Sequence, residues 1–424
     1  LISSHVGGVT VLFHDTAPRK LPIESLGHRG DGVANHEGSA VFVAGALPGE
    51  TVLVSGPGER PRLYDVLQPS PARVEPPCSH AGVCGACALQ HASDELYVSW
   101  KMGILTSALK GVRLEAEIAP MIRVPPSSRR RVTLALSRSK ERNAILGFHA
   151  QRDRTVHTIE GCKVTSPEIL AVLPGLTRLL ASLAPQKGER DVTILSTTAG
   201  LDVAVSGPGV KDQVHLAEAA RALGLARLSV GGDVVAEYRS PFLDIDGVGL
   251  VPPAGGFVQA VAEAEAALAE IALHHLRGAK KLVDLFSGSG AFTLRLARQS
   301  SVHAVEGDKA AIAALDRARR NAQGLKPVST EVRDLFRSPL SVLDLKRFDG
   351  AILDPPRQGA SAQTAMLAEA QFGRLVYVSC DPASFARDAR SLVNRGWVLG
   401  KVTPVDQFLW SSHLELAAEF TRRA

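Results

Sequence analysis

Aromatic side chains are scarce, at 5% of 424 residues, so a platform on which many nucleobases stack is not indicated as a way of holding ligand. Long apolar runs are missing too. None approaches the roughly 18 residues of a membrane span, and Leu1 to Thr10 lacks the basic-then-apolar layout of a secretory leader. Cysteine is sparse and odd in number: five residues, of which Cys78, Cys84 and Cys87 cluster while Cys162 and Cys380 stand apart. Without a secretory leader that pattern reads as reduced thiols for metal or catalysis rather than as a disulfide framework, and a cytoplasmic location follows as the expectation.

What is present describes a globular protein of two or three domains, with 45% apolar and 21% charged residues. The net charge of +5 suits a polyanionic partner. Between Arg123 and Arg154 nine Lys or Arg stand against two acidic residues, including the run Arg129-Arg130-Arg131. They are threaded through two expected strands, Val132 to Leu136 and Ala144 to Phe148. A β-surface carrying that much arginine binds phosphates electrostatically, whereas the plainer alternative is a solvated charged face.

Three domains are predicted. Residues 1–72 offer short alternating strands broken by glycine turns, such as Gly38 to Ala44 and Thr51 to Val54, the period of a small β-barrel. Residues 73–255 open with Pro76-Pro-Cys78-Ser-His-Ala-Gly-Val-Cys84-Gly-Ala-Cys87, whose small residues let a backbone wrap closely around a metal centre. A fourth ligand is needed, for which Cys162 is the only candidate other than Cys380, and spacing alone leaves an iron–sulfur cluster and tetrahedral zinc equally open. Helical patches at Pro167 to Leu183 and Val214 to Leu223 alternate with strands such as Asp202 to Val205, completing a central α+β domain.

Residues 256–424 alternate helix, strand and glycine loop in the manner of a doubly wound, Rossmann-like α/β sheet. A long alanine-rich helix is expected over Gln259 to Leu276. Leu282 to Phe286 reads as a buried strand running into Ser287-Gly-Ser-Gly290, a loop that lets a ligand approach the backbone. Glu306 ends the next strand, where a carboxylate accepts hydrogen bonds from ribose hydroxyls, and Asp334 and Asp354 end two more. Gly290 is followed by Ala-Phe-Thr, so the third glycine of a dinucleotide fingerprint is missing and a nucleoside without pyrophosphate fits better than NAD. The run Leu375-Val-Tyr-Val-Ser-Cys380-Asp381-Pro382 puts a cysteine where a strand hands over to a capped helix. There the helix amides favour negative charge, so the thiol is expected to ionise readily; a packed core cysteine is the alternative.

Together these motifs resemble the bacterial RNA (uracil-5-)-methyltransferases that use S-adenosylmethionine, particularly the iron–sulfur-containing 23S rRNA enzymes. The resemblance is carried by Cys78, Cys84, Cys87 and Cys162, by Phe257-Val-Gln259, Asp284-Leu-Phe-Ser-Gly-Ser-Gly290, Glu306, Asp354-Pro-Pro-Arg357, Val378-Ser-Cys380-Asp-Pro382 and His413-Leu-Glu415. In the first domain Glu24 to Ala34 and Val41 to Glu50 resemble the TRAM domain, an RNA-binding barrel. The resemblance implies S-adenosylmethionine contacted by Gln259, Phe286, Glu306, Asp334 and Asp354, a [4Fe–4S] cluster on the four cysteines, Cys380 as nucleophile and Glu415 as base. It implies RNA as partner, 23S rRNA first and tRNA second, for a monomer without membrane or obligate protein partner. Val261, Ala291 and Asp381 depart from residues usual in the family, as does the spelling Phe408-Leu-Trp-Ser-Ser-His. A noncatalytic RNA-binding redox sensor is the competing class, for which Cys380 is dispensable.

The chemistry accounts for the residue types. Uracil C5 is too weak a nucleophile to take a methyl group unaided. Thiolate addition at C6 makes C5 an enolate carbon, and a base must then remove the C5 proton so that the thiolate can leave. The target atom is inaccessible in a stacked helix, so the nucleotide must be unpaired or flipped out.

Overall fold

The computed structural model describes residues 2–6, 9–13, 18–210 and 213–422; Leu1, Gly7 and Gly8 of the stretch read for a leader lie outside them. The contacts divide the chain into two compact units. The first comprises residues 1–104, 149–155 and 408–412, and the second residues 105–148, 156–407 and 413–424.

In the first unit, the strands Arg19–Pro22, Thr51–Ser55 and Arg62–Gln68 form one antiparallel sheet. Ser25–Leu26, Gly32–His36 and Ser39–Val43 form a second. Alternation directs Leu21, Ala34, Val41, Val43, Val52 and Val54 into one shared core. Glu50 is buried beneath it and is held by Arg73 through two bonds, Nε to Oε1 at 2.5 Å and Nη2 to Oε2 at 2.8 Å, the bidentate geometry that makes a buried carboxylate tolerable.

The second unit carries two large sheets. Seven strands between Arg131 and Glu237 build the first, with the helices Pro167–Leu179 and Gln213–Ala222 packed on it. The second is a nine-stranded sheet. Its parallel centre runs Val328–Val332, Ser301–Glu306, Lys281–Leu285, Gly350–Leu353, Arg374–Ser379. Glu415–Arg422 then inserts antiparallel between Arg374–Ser379 and Trp397–Asp406. The near-continuous apolar runs follow from burial of both sheet faces, with Val283, Leu285, Ala351, Leu353, Leu375 and Tyr377 in the core. Chain direction around the sheet reverses between Lys281–Leu285 and Gly350–Leu353, and the crevice beyond the carboxyl ends of those two strands is where an open α/β sheet receives ligand.

The alanine-rich helix spans Ala262–His275, with Val261 as its N-cap residue, so it begins three residues later than the composition suggests. The backbone before it is occupied otherwise. The Ala260 carbonyl accepts from the Arg130 amide, and the Gln259 carbonyl from Arg130 Nε. Among the described residues no helix is long and apolar enough to cross a membrane.

Candidate active site

The Arg374–Ser379 strand ends where Asp381 caps the helix Pro382–Val393, its side chain accepting from the Ser384 amide at 2.8 Å. Proline at the first helical position and aspartate at the cap are the reason the helix starts there. Cys380 is pinned at that junction. The antiparallel ladder pairs Ser379 with Leu416, and continuing it by one residue sets Cys380 across from Glu415. Glu415 and Leu416 are buried because this strand lies inside the sheet, Leu414 just before it is buried as well, and His413, two residues before Glu415, faces Arg357 with its Nε2 3.1 Å from Arg357 Nη2.

The electrostatics at Cys380 reverse the expectation from the helix terminus. Burial pushes the thiol up to about 12, and the carboxylates of Glu415, Asp354 and Asp381 push the same way against the Arg357 guanidinium. In the ligand-free protein Cys380 is therefore a protonated thiol, because desolvation and neighbouring negative charge outweigh a helix end.

Around the reversal point stands an acidic cluster. Asp284 lies inside the Lys281–Leu285 strand and accepts from Thr293 Oγ1 at 2.5 Å. Burial, with Asp354 and Glu306 nearby, pushes its carboxyl up to about 7. Asp354 is raised to about 7 as well, by burial and then by Glu265, against a hydrogen bond from Gln259; it keeps part of its surface open to the crevice although protein atoms surround it densely. Glu306 accepts from the Gly288 amide at 3.0 Å and the Asp308 amide at 2.9 Å. Asp334 accepts from the amides of Phe336 and Arg337, and Phe336 lies against Phe286 with ring centroids 5.2 Å apart.

The loop between these acids is built for close approach. Gly290 has φ +92°, and a Cβ there would run into Leu315 Cδ1, so only glycine fits. A Cβ on Gly288 would meet nothing within 4 Å. Asp284 Oδ1 and Ser287 Oγ are buried and meet no hydrogen-bond partner among the described residues. Orphaned polar atoms, an open glycine and carboxylates that raise one another's affinity for protons fit a ligand bringing donors and positive charge, the character of the S-adenosylmethionine expected from the sequence.

All the expected cofactor contacts thus lie at strand ends bordering one crevice or in the chain leading to it. Gln259, read as helical, instead lies before the helix, and its Nε2 donates to Asp354 Oδ2 at 3.1 Å. Two groups escaped the sequence reading. Gln407 Nε2 donates to Gln259 Oε1 at 2.8 Å, and Asp388, buried in the helix after Cys380, accepts from Tyr377 Oη and the Ala360 amide, both at 2.7 Å. Neither carries a local signal; only the topology brings them in.

The metal expectation is not supported. Among the described residues no group of three or more His, Cys, Asp or Glu is placed to hold a metal ion. Cys78, Cys84 and Cys87 belong to the first unit and Cys162 to the second. Cys78 is buried, and Cys162 packs against the core of its own unit with Sγ 3.5 Å from Thr165 Oγ1. Arg130 and Arg131 of the arginine run have partners within the fold. Arg130 pairs with the buried Glu265 at 2.8 Å, while Arg131 donates to the Gly256 carbonyl and lies over the Phe257 ring, so both serve the fold. Arg123, Lys140 and Arg142 are the exposed cations of that stretch in the second unit.

Comparison with known proteins gives the chain a family. The family described as tRNA (Uracil-5-)-methyltransferase matches residues 250–423. An RNA methyltransferase of Rhizobium meliloti is 42% identical over 405 residues, covering 93% of this chain and 97% of its own. A 23S rRNA (uracil(1939)-C(5))-methyltransferase of Alkalilimnicola ehrlichii is 35% identical over 438 residues, covering 96% of this chain and 97% of its own. The tRNA (uracil-54, C5)-methyltransferase of Pyrococcus abyssi, solved with S-adenosyl-L-homocysteine, superposes with a TM-score of 0.74 at 21% identity over 95% of this chain and 99% of that one, a likeness of fold. With full-length relatives at 35 to 42% identity, the chain belongs to the RNA (uracil-5-)-methyltransferase family.

Proposed function

We propose that the protein transfers a methyl group from S-adenosylmethionine to C5 of a uracil in 23S rRNA, with Cys380 as nucleophile and Glu415 as base. The observation that carries this reading is that Cys380 lies one residue beyond the Ser379–Leu416 pair, with the carboxylates of Glu415 and Asp354 acting on its thiol. S-adenosylmethionine supplies the electrophilic methyl group. The Cys380 thiol passes its proton to solvent as its sulfur bonds to uracil C6, since its surroundings oppose a resting thiolate; C5 becomes nucleophilic in the same step and Glu415 stays unprotonated for the later one. After transfer, Glu415 takes the C5 proton and the Cys380–C6 bond breaks, restoring the ring. Gln259, Phe286, Glu306, Asp334 and Asp354 hold the cofactor in this reading.

The further parts of the proposal are a TRAM-like barrel over residues 1–72 that holds RNA, a central domain over 73–255 whose Lys140 and Arg142 meet phosphates, and a transferase domain over 256–424, acting as a cytoplasmic monomer. Ribosomal RNA is favoured by the Alkalilimnicola ehrlichii relative's name and full-length similarity. The family description and the archaeal structure favour tRNA instead. Labelled S-adenosylmethionine, offered with unmodified rRNA or tRNA to wild type and Cys380→Ala, decides between them, with the nucleoside identified by mass spectrometry. The reading requires 5-methyluridine in rRNA from wild type alone; product from Cys380→Ala overturns the mechanism, and product only in tRNA overturns the substrate.

A further inference from the structure

Three side chains form a buried relay at the crevice. Gln407 follows the last residue of the Trp397–Asp406 strand and is 2% exposed. Its Nε2 donates to Gln259 Oε1 at 2.8 Å, and Gln259 Nε2 donates to Asp354 Oδ2 at 3.1 Å. Gln407 Oε1 is buried and meets no partner among the described residues. A buried amide with one end unsatisfied costs stability, so its Gln259 bond is the contact that accounts for its place.

An amide has a donating and an accepting end, and that asymmetry gives the relay a direction. With Gln407 holding the Gln259 oxygen, the Gln259 amino group points at the Asp354 carboxylate. Turning Gln259 alone by half a rotation sets its oxygen against that carboxylate and its amino group against the Gln407 amino group, losing both bonds. Reversing the relay requires both amides to turn and Asp354 to take up a proton.

We propose that Gln407 is a positioning residue of the transfer site: it locks the Gln259 side chain so that its amino group is presented to the Asp354 carboxylate. The inference rests on the reading that Gln259 and Asp354 serve cofactor and methyl transfer. The groups facing Asp354 are Glu265 from the helix Ala262–His275, Asp284 from the adjoining strand, and Cys380 from the strand on the other side, with Glu415 and Arg357 around Cys380. Glu265 and Asp284 are acidic, so the Gln259 amino group is a main support for an ionised Asp354, and the bond it donates opposes the upward push of burial.

The test uses the full chain with Gln407→Met, which keeps length and loses both hydrogen-bonding ends, and Gln407→Glu, which keeps shape and cannot donate when ionised. Three properties are measured: the pH profile of methyl transfer to RNA, S-adenosylhomocysteine affinity by calorimetry across pH, and the melting temperature. Both variants should move the acid limb of the profile and of the affinity curve to higher pH by about one unit, and lower kcat below that limb about tenfold, the worth of a hydrogen bond to a charged group. KM for RNA, measured alongside, separates a loss of transfer from a loss of RNA binding. Superimposable pH curves in folded variants, or a lower melting temperature with unmoved curves, overturn the proposal. Wild type inactive on every RNA overturns the underlying reading instead, and the affinity curve still decides the role of Gln407.

Discussion

Asp354→Asn should make the ligand-free protein more stable above neutral pH while removing its activity. The carboxyls of Asp354 and Asp284 are pushed up to about 7 from an ordinary 3.8. A folded state that holds a proton more tightly than the unfolded chain has its extra stability in full below the unfolded value and loses it as pH rises through the folded value. Here the loss runs between about pH 4 and pH 7. A difference of about three pH units at about 1.4 kcal/mol each amounts to as much as about 4 kcal/mol for one group. Asparagine keeps an acceptor for Gln259 and has no charge to bury, and its neutrality also relieves Asp284. For a unit of roughly 300 residues that corresponds to a melting temperature higher by about 5 °C. Scanning calorimetry of ligand-free wild type and variant at pH 5 and pH 8 reads it directly: the variant should already melt slightly higher at pH 5, and the gap should widen to its full size at pH 8. Parallel loss of stability in both proteins would refute the idea that the crevice stores unpaired acid.

Other consequences follow from the same geometry. Cys380 in the ligand-free protein should react with iodoacetamide at neutral pH about 30- to 100-fold more slowly than an exposed thiol, the fall in thiolate outweighing its gain in nucleophilicity. Peptide mapping of the alkylated protein measures this, and fast labelling of Cys380 would contradict the raised thiol. Tyr377→Phe removes one of the donors to buried Asp388 and should cost about 1–3 kcal/mol of stability, read from the midpoint of chemical unfolding; an unchanged midpoint would mean the Ala360 amide and Arg387 suffice.

The strands at Leu282, Val302 and Ile352 were legible because each is an apolar run carrying Asp or Glu at or near its carboxyl end. The Cys380 junction was legible from Asp381 and Pro382 for the same local reason. What a sequence hides is whatever a distant partner decides. Gln259 lies in an alanine-rich stretch that composition makes helical, yet it stays outside the helix, bonded to Arg130, Asp354 and Gln407. The thiols of Cys78, Cys84 and Cys87 are near in sequence, but spacing does not dictate where side chains converge.

The arginine run makes the same argument quantitative. A count of nine cations in Arg123 to Arg154 implies one phosphate-binding face, whereas the structure divides them by partner. Arg130 and Arg295 share the two oxygens of Glu265, which is 1% exposed, at 2.8 and 3.1 Å. Arg130→Ala leaves half of a buried carboxylate unpaired and should destabilise by about 3 kcal/mol. Lys140 is exposed, and Lys140→Ala should leave stability within about 0.5 kcal/mol while lowering the salt dependence of RNA binding by about one counterion. Unfolding midpoints and RNA affinities across a salt series separate the two roles. Equal effects of both substitutions on RNA binding, with neither touching stability, would return Arg130 to the RNA surface and leave Glu265 without its structural purpose.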